Sequence, residues 1–449
     1  MTERTAKRAE CLHRPIVLDL FCGAGGLAHG FAQAGYRVVG GIDSWEVAVR
    51  SFEANISGAK GLVRDLRVPD LEDVAEFVGG DVDVIVGGPS CQGFSTSGGL
   101  SRSTGRDEKD PRNRLFLNYL DIVERLRPSW LVFENVPGLL LYENGRVALE
   151  MVRAFREIGY VMVPMILLAA DFGVPQLRRR LVFVGNRTGS DIAFPSATHG
   201  NPELWKNYAL PFAHLSRIGH GRVDAALPHV TFDEACSDLP PVGEGEELDG
   251  VPYGTLPVGA YQEAMRADSH LVRQHAAAEL PALDRIAART LKPGENWRNL
   301  PMEVLPDRFR RIRPYDATTL LKRLRPDHPA YTITTKFNEG TTGAFIHPSQ
   351  PRTLTLREAA RLQSFPDSFV FSGSPSQIRH QIGNAVPPML GRCLAEAILP
   401  LVVRDVYGAV VAPVRDTILI DNRVAGTDIL QLRAPRKQRA ATQMETGLP

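Results

Sequence analysis

The apolar run PIVLDLF (15–21) enters the glycine-rich turn FCGAGG, and GLAHGFAQAGY (26–36) follows with its apolar residues at helical spacing. Further strand-like runs are RVVGGID (37–43), the shorter GLVRDL (61–66), VDVIVGG (82–88), SWLVFENV (129–136) and RLVFVGN (180–186). RNRLFLNYLDIVERL (112–126) reads as a helix. This alternation of strand and helix constrains the fold more than any other feature. Consecutive parallel strands need a crossover, the crossover is right-handed, and its helix covers one face of the sheet. The expected fold is α/β, with a largely parallel sheet and helices on both faces.

At 449 residues the chain is long enough for two or three domains, each with its own core. Its formal net charge of +1 gives no global field toward nucleic acid or membrane, so any polyanion must meet a local positive surface. No apolar run has membrane-spanning length. MTERTAKRAECLHRP lacks a signal-peptide apolar region, so a cytoplasmic site is expected. The cysteines 11, 22, 91, 236 and 393 show no metal-ligand spacing, so no metal site is expected. Taken singly, each cysteine reads as a small buried hydrophobe.

The periodic pattern weakens from about 190 to 345, where Pro, Gly, His and polar residues increase. Charges there are segregated. Residues 223–265 hold nine Asp or Glu and no Lys or Arg, whereas Arg308, Arg310, Arg311, Arg313, Lys322, Arg323 and Arg325 crowd together with only Asp316 as counter-charge. The expected division is 1–189 as the first part of a catalytic and cofactor domain and 190–345 as a smaller, irregular domain. Residues 346–405 would return to the first domain, and 406–449 would be an extension with a basic tail.

Ligands of an open parallel sheet sit beyond the carboxyl ends of its strands. Asp19 with FCGAGG, Asp43, Asp65, Cys91 and Glu134 all fall at such ends. Gly23, Gly25 and Gly26 let a ligand approach the backbone. Asp43 lies about 20 residues further on, where an acid commonly holds a ribose diol. The pair suits a dinucleotide or S-adenosylmethionine, and it equally suits a tight turn beside a solvated acid. Glu134, at the end of an apolar strand, is either a carboxylate facing water or an acid with a raised pKa. Arg178 and Arg180, two apart, would share one face, as a basic edge or as cations aimed at an anionic group.

Read together, DLFCGAGG, GGPSCQGFS, FENVPGLL and QLRRR resemble, in order, four motifs of the DNA (cytosine-5) methyltransferase family, of restriction-modification or orphan type. LTLREAARLQSFPDSF and QIGNAVPP resemble the two that close its domain. The resemblance covers most of the chain and implies a Rossmann-like S-adenosylmethionine-dependent methyltransferase fold with a mixed, mostly parallel α/β sheet. It implies Cys91 as the thiolate that adds to cytosine C6, Glu134 acting at N3, and Arg178 and Arg180 steadying thiolate, base and carboxylate. Gln92, Ser95 and Gln176 would contact the substrate. For S-adenosylmethionine it implies Phe21 against the adenine, Gly23 and Gly25 near the methionine, Asp43 on the ribose and Asp65 on the adenine amine. Leu115 and Asn384 would complete that pocket, which requires the C-terminal segment to pack on the first motif.

The same resemblance implies a cytosine flipped out of duplex DNA and residues 95–113 as a closing loop. Segment 190–345 would be the target recognition domain, with the basic cluster and its Phe309 and Tyr315 near phosphates. Expected partners are double-stranded DNA, bound by a monomer, and a cognate restriction endonuclease encoded nearby; no membrane partner is expected, and the location would be nucleoid-associated. A catalytically silent DNA-binding relative and an RNA cytosine-C5 methyltransferase remain as alternatives. One departure stands out. Most members carry proline directly before the cysteine, and this chain has Ser90, which frees φ and restores an N–H.

Overall fold

The computed structural model describes residues 14–89, 115–140, 146–200, 227–313, 316–413 and 416–421. The first-half strands are β1 (Ile16–Leu20), β2 (Arg37–Asp43), β3 (Lys60–Val63), β4 (Val84–Gly87), β5 (Trp130–Asn135), β6 (Val161–Leu168), β7 (Gln176–Leu177), β8 (Arg179–Asn186) and β9 (Ile192–Pro195). Seven of them form one sheet in the order β3-β2-β1-β4-β5-β8-β6. Neighbours from β3 to β5 pair in parallel, and β8 runs antiparallel to both β5 and β6. The mixed, mostly parallel sheet read from the sequence is therefore present.

β6 was not among the runs read as strands. Its sequence VMVPMILL carries Pro164 at the centre, which argues against an interior strand. β6 lies at the edge of the sheet, where one side needs no ladder partner. Asp19, read as following the first strand, lies inside β1 and is buried.

The helices of this half are α1 (Gly26–Gln33), α2 (Glu46–Asn55), α3 (Leu71–Val78), α4 (Leu115–Leu126) and α5 (Arg146–Glu157). Later come α6 (Phe232–Cys236), α7 (Ala260–Arg266), α8 (Ala282–Thr290), α9 (Asp307–Arg310), α10 (Leu356–Leu362), α11 (Pro375–Asn384) and α12 (Pro388–Tyr407). The chain does return to the first domain. α12 packs along α1, and its apolar face joins the main core through Leu390, Leu394, Ile398 and Val402. Glycine makes that approach possible. A Cβ on Gly26 would stand 2.3 Å from the Val386 carbonyl oxygen, and one on Gly30 would stand 2.4 Å from that of Pro388. Beyond α12, Thr417–Ile420 form a strand antiparallel to β9, so the described end of the extension is tied to the sheet domain.

The irregular half carries two further cores. One joins Phe232, Tyr261 and Val272 to Phe337, Phe345, Leu356, Phe365 and Ile382, so residues on both sides of position 345 share one core. The other gathers Leu280, Trp297, Phe309, Leu321 and Ile346. Arg361 is a fully buried cation of the first of these cores, beside Ala235 and Tyr261. It is buried between Asp238 and Asp367, to which it donates hydrogen bonds. Paired charges of this kind tolerate burial because each remaining lone pair is satisfied.

The basic cluster divides on inspection. Arg308 and Arg311 are exposed, whereas Arg323 is buried and donates to the carbonyl oxygens of Ala288, His347 and Pro348. Arg323 is thus a core anchor and is removed from the set of candidate phosphate contacts. Phe309 is likewise buried, edge-on to Trp297, and Tyr315 lies outside the described residues.

Candidate active site

The strand order reverses between β1 and β4, since the chain runs from β1 out to β3 and then resumes at β4 on the other side. Loops leaving adjacent strands at such a point diverge and leave a crevice. FCGAGG leaves β1 there, and Gly88 and Pro89 leave β4 beside it.

The first loop is held open by its backbone. Phe21, Gly23 and Gly25 have φ of 58, 51 and 89°, all left-handed. For Phe21 that conformation is strained and persists only because the surroundings impose it. Cys22 N–H donates to the Ile42 carbonyl oxygen at 3.1 Å, and Gly23 N–H donates to Asp43 Oδ2 at 2.9 Å. Asp43 Oδ1 accepts from Trp45 N–H at 2.9 Å. Asp43 therefore braces the turn as well as standing at its rim. A Cβ built on Gly23 would meet nothing within 4 Å, so that position faces open space.

Three further expected cofactor positions lie on segments tied to this corner of the sheet. The segment after Asn384 abuts Gly26 through Val386, and the Asn384 side chain is exposed. Asp65 follows β3, next to the end of β2, where Arg64 N–H donates to the Asp43 carbonyl oxygen at 2.9 Å. Its carboxylate is exposed and holds Arg67 at 2.6 Å. Leu115 opens α4, which is tied to this corner by Asn118 Nδ2 donating to the Leu66 carbonyl oxygen at 2.7 Å.

Asp19 was noted at the rim of the crevice but given no role. Its carboxyl group is buried, Oδ2 has no hydrogen-bond partner among the described residues, and burial holds its pKa well above the usual carboxylate range. The nearby Asp43 charge adds to that shift. A buried carboxylate without a counter-ion is costly. Burial therefore favours the neutral, protonated form of Asp19. The signal was in the sequence: an acid inside an apolar strand rather than after it.

On the β4–β5 side, Arg180 Nε forms an ion pair with Glu134 Oε1 at 2.6 Å. Glu134 ends β5, Arg180 begins β8, and the antiparallel pairing of the two strands brings them together. Burial raises the Glu134 pKa, against the opposing pull of Arg180 and then Arg178. The carboxylate fits only because Gly88 has no side chain, since a Cβ there would stand 2.8 Å from Glu134 Oε2. Asn135 Nδ2, at 3.5 Å from the Pro89 carbonyl oxygen, links the end of β5 to the exit of β4. Asn135 was passed over in the sequence, although it stands inside FENV.

Two expected site residues are placed differently. Gln176 is fully buried, and its amide is engaged with protein: Oε1 accepts from Ile333 N–H, and Nε2 donates to the Leu362 carbonyl oxygen and to Gln363. Arg178 is buried and donates to the carbonyl oxygens of Ile333, Gly383 and Ala385. Arg178 lies between β7 and β8, with its guanidinium engaged by these backbone carbonyls, and its charge still opposes the rise of the Glu134 pKa. Cys91, Gln92, Ser95, Ser90 and the loop 95–113 lie outside the described residues. Cys22, Cys236 and Cys393 are buried, as expected.

Comparison with known proteins is consistent along the whole domain. Residues 16–400 match the family model of C-5 cytosine-specific DNA methylases. The type II methyltransferase M.AgeI of Thalassovita gelatinovora is 32% identical over 432 residues, covering 85% of this chain and 98% of its own. M.DdeI of Desulfomicrobium norvegicum is 33% identical over 403 residues, covering 85% and 88%. Among solved structures, a prophage-encoded E. coli protein described as a DNA modification methyltransferase superposes with a TM-score of 0.61. It is 22% identical and covers 85% of this chain and 97% of its own, which supports the fold.

Proposed function

Because this chain belongs to the family of C-5 cytosine-specific DNA methylases, S-adenosylmethionine-dependent DNA (cytosine-5)-methyltransferases, we propose that it methylates a flipped-out cytosine in a specific duplex sequence through a covalent Cys91–C6 intermediate. The observation that carries this reading is the buried Glu134–Arg180 pair beside the exit of the strand that leads to Cys91.

The chemistry asks for these groups. Cytosine C5 is a poor nucleophile until a thiolate adds to C6 and makes the ring an enamine. Cys91 supplies that thiolate, and Glu134 in its acid form donates a proton to N3, which makes C6 more electrophilic. Arg180 holds the Glu134 carboxyl in place and offers its remaining N–H groups to the base. When bound, S-adenosylmethionine supplies the electrophilic methyl group for C5. A base, with water as the simplest choice, then takes the C5 proton, the Cys91 thiolate leaves C6, and the N3 proton returns to Glu134.

The residues present suit that methyl donor. Gly23 faces open space, Asp43 and Asp65 present carboxylates, Asn384 is exposed, and Asp19 offers a buried, unpartnered carboxylate oxygen to the donor's ammonium group. Asp19→Asn should weaken S-adenosylmethionine binding about tenfold, the loss of one charge-assisted contact. It should also raise the melting temperature of the cofactor-free protein. The sign follows from the raised pKa: the native state holds the Asp19 proton more tightly than the unfolded chain, so Asp19 favours folding at low pH and loses that contribution as pH rises through its folded pKa. The difference from Asp19→Asn should therefore vanish in the usual carboxylate range and widen toward neutrality. Calorimetry and thermal melts across pH check both; tighter cofactor binding by the variant would remove Asp19 from the site.

The direct test of function is to express the chain in cells lacking cytosine methylation and map modified bases by bisulfite or nanopore sequencing. 5-Methylcytosine confined to one short motif is expected. Unmodified DNA, with methyl transfer to RNA or to nothing, would contradict the reading.

A further inference from the structure

We infer that Arg178 is a positioning residue that sets the cofactor side of the site through Asn384, and does not itself touch the thiolate or the target base. The inference rests on the placement of Asn384 proposed above. Arg178 is 1% exposed, and its guanidinium has three carbonyl partners. Nη2 donates to the carbonyl oxygens of Gly383 at 3.0 Å and Ala385 at 2.9 Å, the residues on either side of Asn384. Nη1 donates to the Ile333 carbonyl oxygen at 2.8 Å.

Those contacts fix the orientation of the peptide groups that carry Asn384. α11 ends at Asn384, so its last carbonyls have no helical partner and need one from outside. Arg178 meets that need with a rigid, planar fork that a lysine cannot reproduce. The other arm is equally specific. Ile333 is gripped at both ends of its backbone, its N–H by Gln176 at 2.8 Å and its carbonyl by Arg178. Ala330–Tyr331 form a short strand parallel to β7 just upstream, and Thr332 Oγ1 donates to the Leu177 carbonyl oxygen at 2.9 Å. A Cβ on Gly383 would stand 2.4 Å from Thr335 N, so the two segments that Arg178 joins lie in direct contact. Two residues further on, Arg180 holds Glu134. One short stretch of chain thus serves two pockets: Arg180 the target base, Arg178 the cofactor and the strand leading into the partly exposed loop 336–342.

The test separates the two arginines by their kinetic signatures. In the full chain, Arg178→Lys should weaken S-adenosylmethionine binding, measured by calorimetry without DNA, by about tenfold. Its kcat at saturating cofactor should fall far less. Arg180→Lys should show the reverse split, with near-normal cofactor binding and a large loss of kcat. Arg178→Gln leaves more carbonyls unpaired and risks misfolding, so Arg178→Lys is the primary variant. A double-mutant cycle with Asn384→Ala completes the test: the pair should bind cofactor no more weakly than Asn384→Ala alone. A purely structural Arg178 would lower thermal stability and leave the affinity and the cycle unaffected. Normal cofactor affinity in Arg178→Lys beside weakened affinity in Asn384→Ala overturns this inference alone. Normal affinity in Asn384→Ala overturns the cofactor placement, and this inference with it.

Discussion

Cys91→Ala is expected to lower methyl transfer by at least about 10⁴-fold while leaving S-adenosylmethionine affinity within about twofold of wild type. The split follows from the layout. The FCGAGG loop, Asp43 and Asp19 belong to β1, β2 and the turn between β1 and α1, on one side of the crevice. β4, after which the sequence runs on to Cys91, lies on the other side. Removing the thiol takes away the group that converts C5 into a nucleophile and leaves the cofactor side as it was. Single-turnover assays on duplex DNA, paired with calorimetry on the cofactor, check both halves. Substantial residual methylation would remove Cys91 as nucleophile. Loss of cofactor binding would mean that the two sides are not separate.

Glu134→Gln is expected to lower kcat by roughly 10²- to 10⁴-fold, the range for a lost general acid. The side chain keeps its length, so the effect reports on the proton. Burial pushes the Glu134 pKa up, and Arg180 and Arg178 restrain it. The acid form is the active one, so the Glu134 contribution is full at low pH and declines as pH rises through the raised pKa. The Cys91 thiolate has the opposite dependence, and kcat should trace a bell with Glu134 on its alkaline side. In Glu134→Gln that alkaline limb should disappear while the acid limb remains. A variant that keeps the alkaline limb assigns it to another group. The Glu134 carboxyl stands 2.6 Å from Arg180, so the same variant also alters that ion pair, and the pH profile separates the two effects.

Much of this layout was legible in the sequence, for a definite reason. β2 was read with the bounds the structure gives it, and the runs at 15–21, 82–88 and 129–136 contain β1, β4 and β5. Interior parallel strands are apolar on both faces and end in glycine-rich turns, so they advertise themselves. β6 did not, because an edge strand tolerates Pro164. Glu134 and Arg180 were legible because strand ends are where ligands sit. The roles of Gln176 and Arg178 were not: their partners, Ile333, Leu362, Gly383 and Ala385, lie more than 150 residues away along the chain. Spacing alone suggested two arginines on one face, and only the tertiary structure shows that β8 begins between them. Arg323 was misread for a similar reason, since a basic run gives no sign that one member turns inward to cap carbonyls. Asp19 was visible as an acid in an apolar strand, but its missing partner appears only when burial is known.

The central claim is the covalent bond between Cys91 and cytosine C6 in a site organised by Glu134 and Arg180. It is tested most directly with a duplex carrying 5-fluorocytosine at the mapped target position, incubated with the full chain and S-adenosylmethionine. Fluorine at C5 cannot leave as a proton does, so the adduct should persist through denaturing electrophoresis. Peptide mapping of the shifted band should locate the DNA on Cys91. A cross-link mapped to any other residue, or no cross-link from a preparation that methylates the same unfluorinated duplex, would contradict the account.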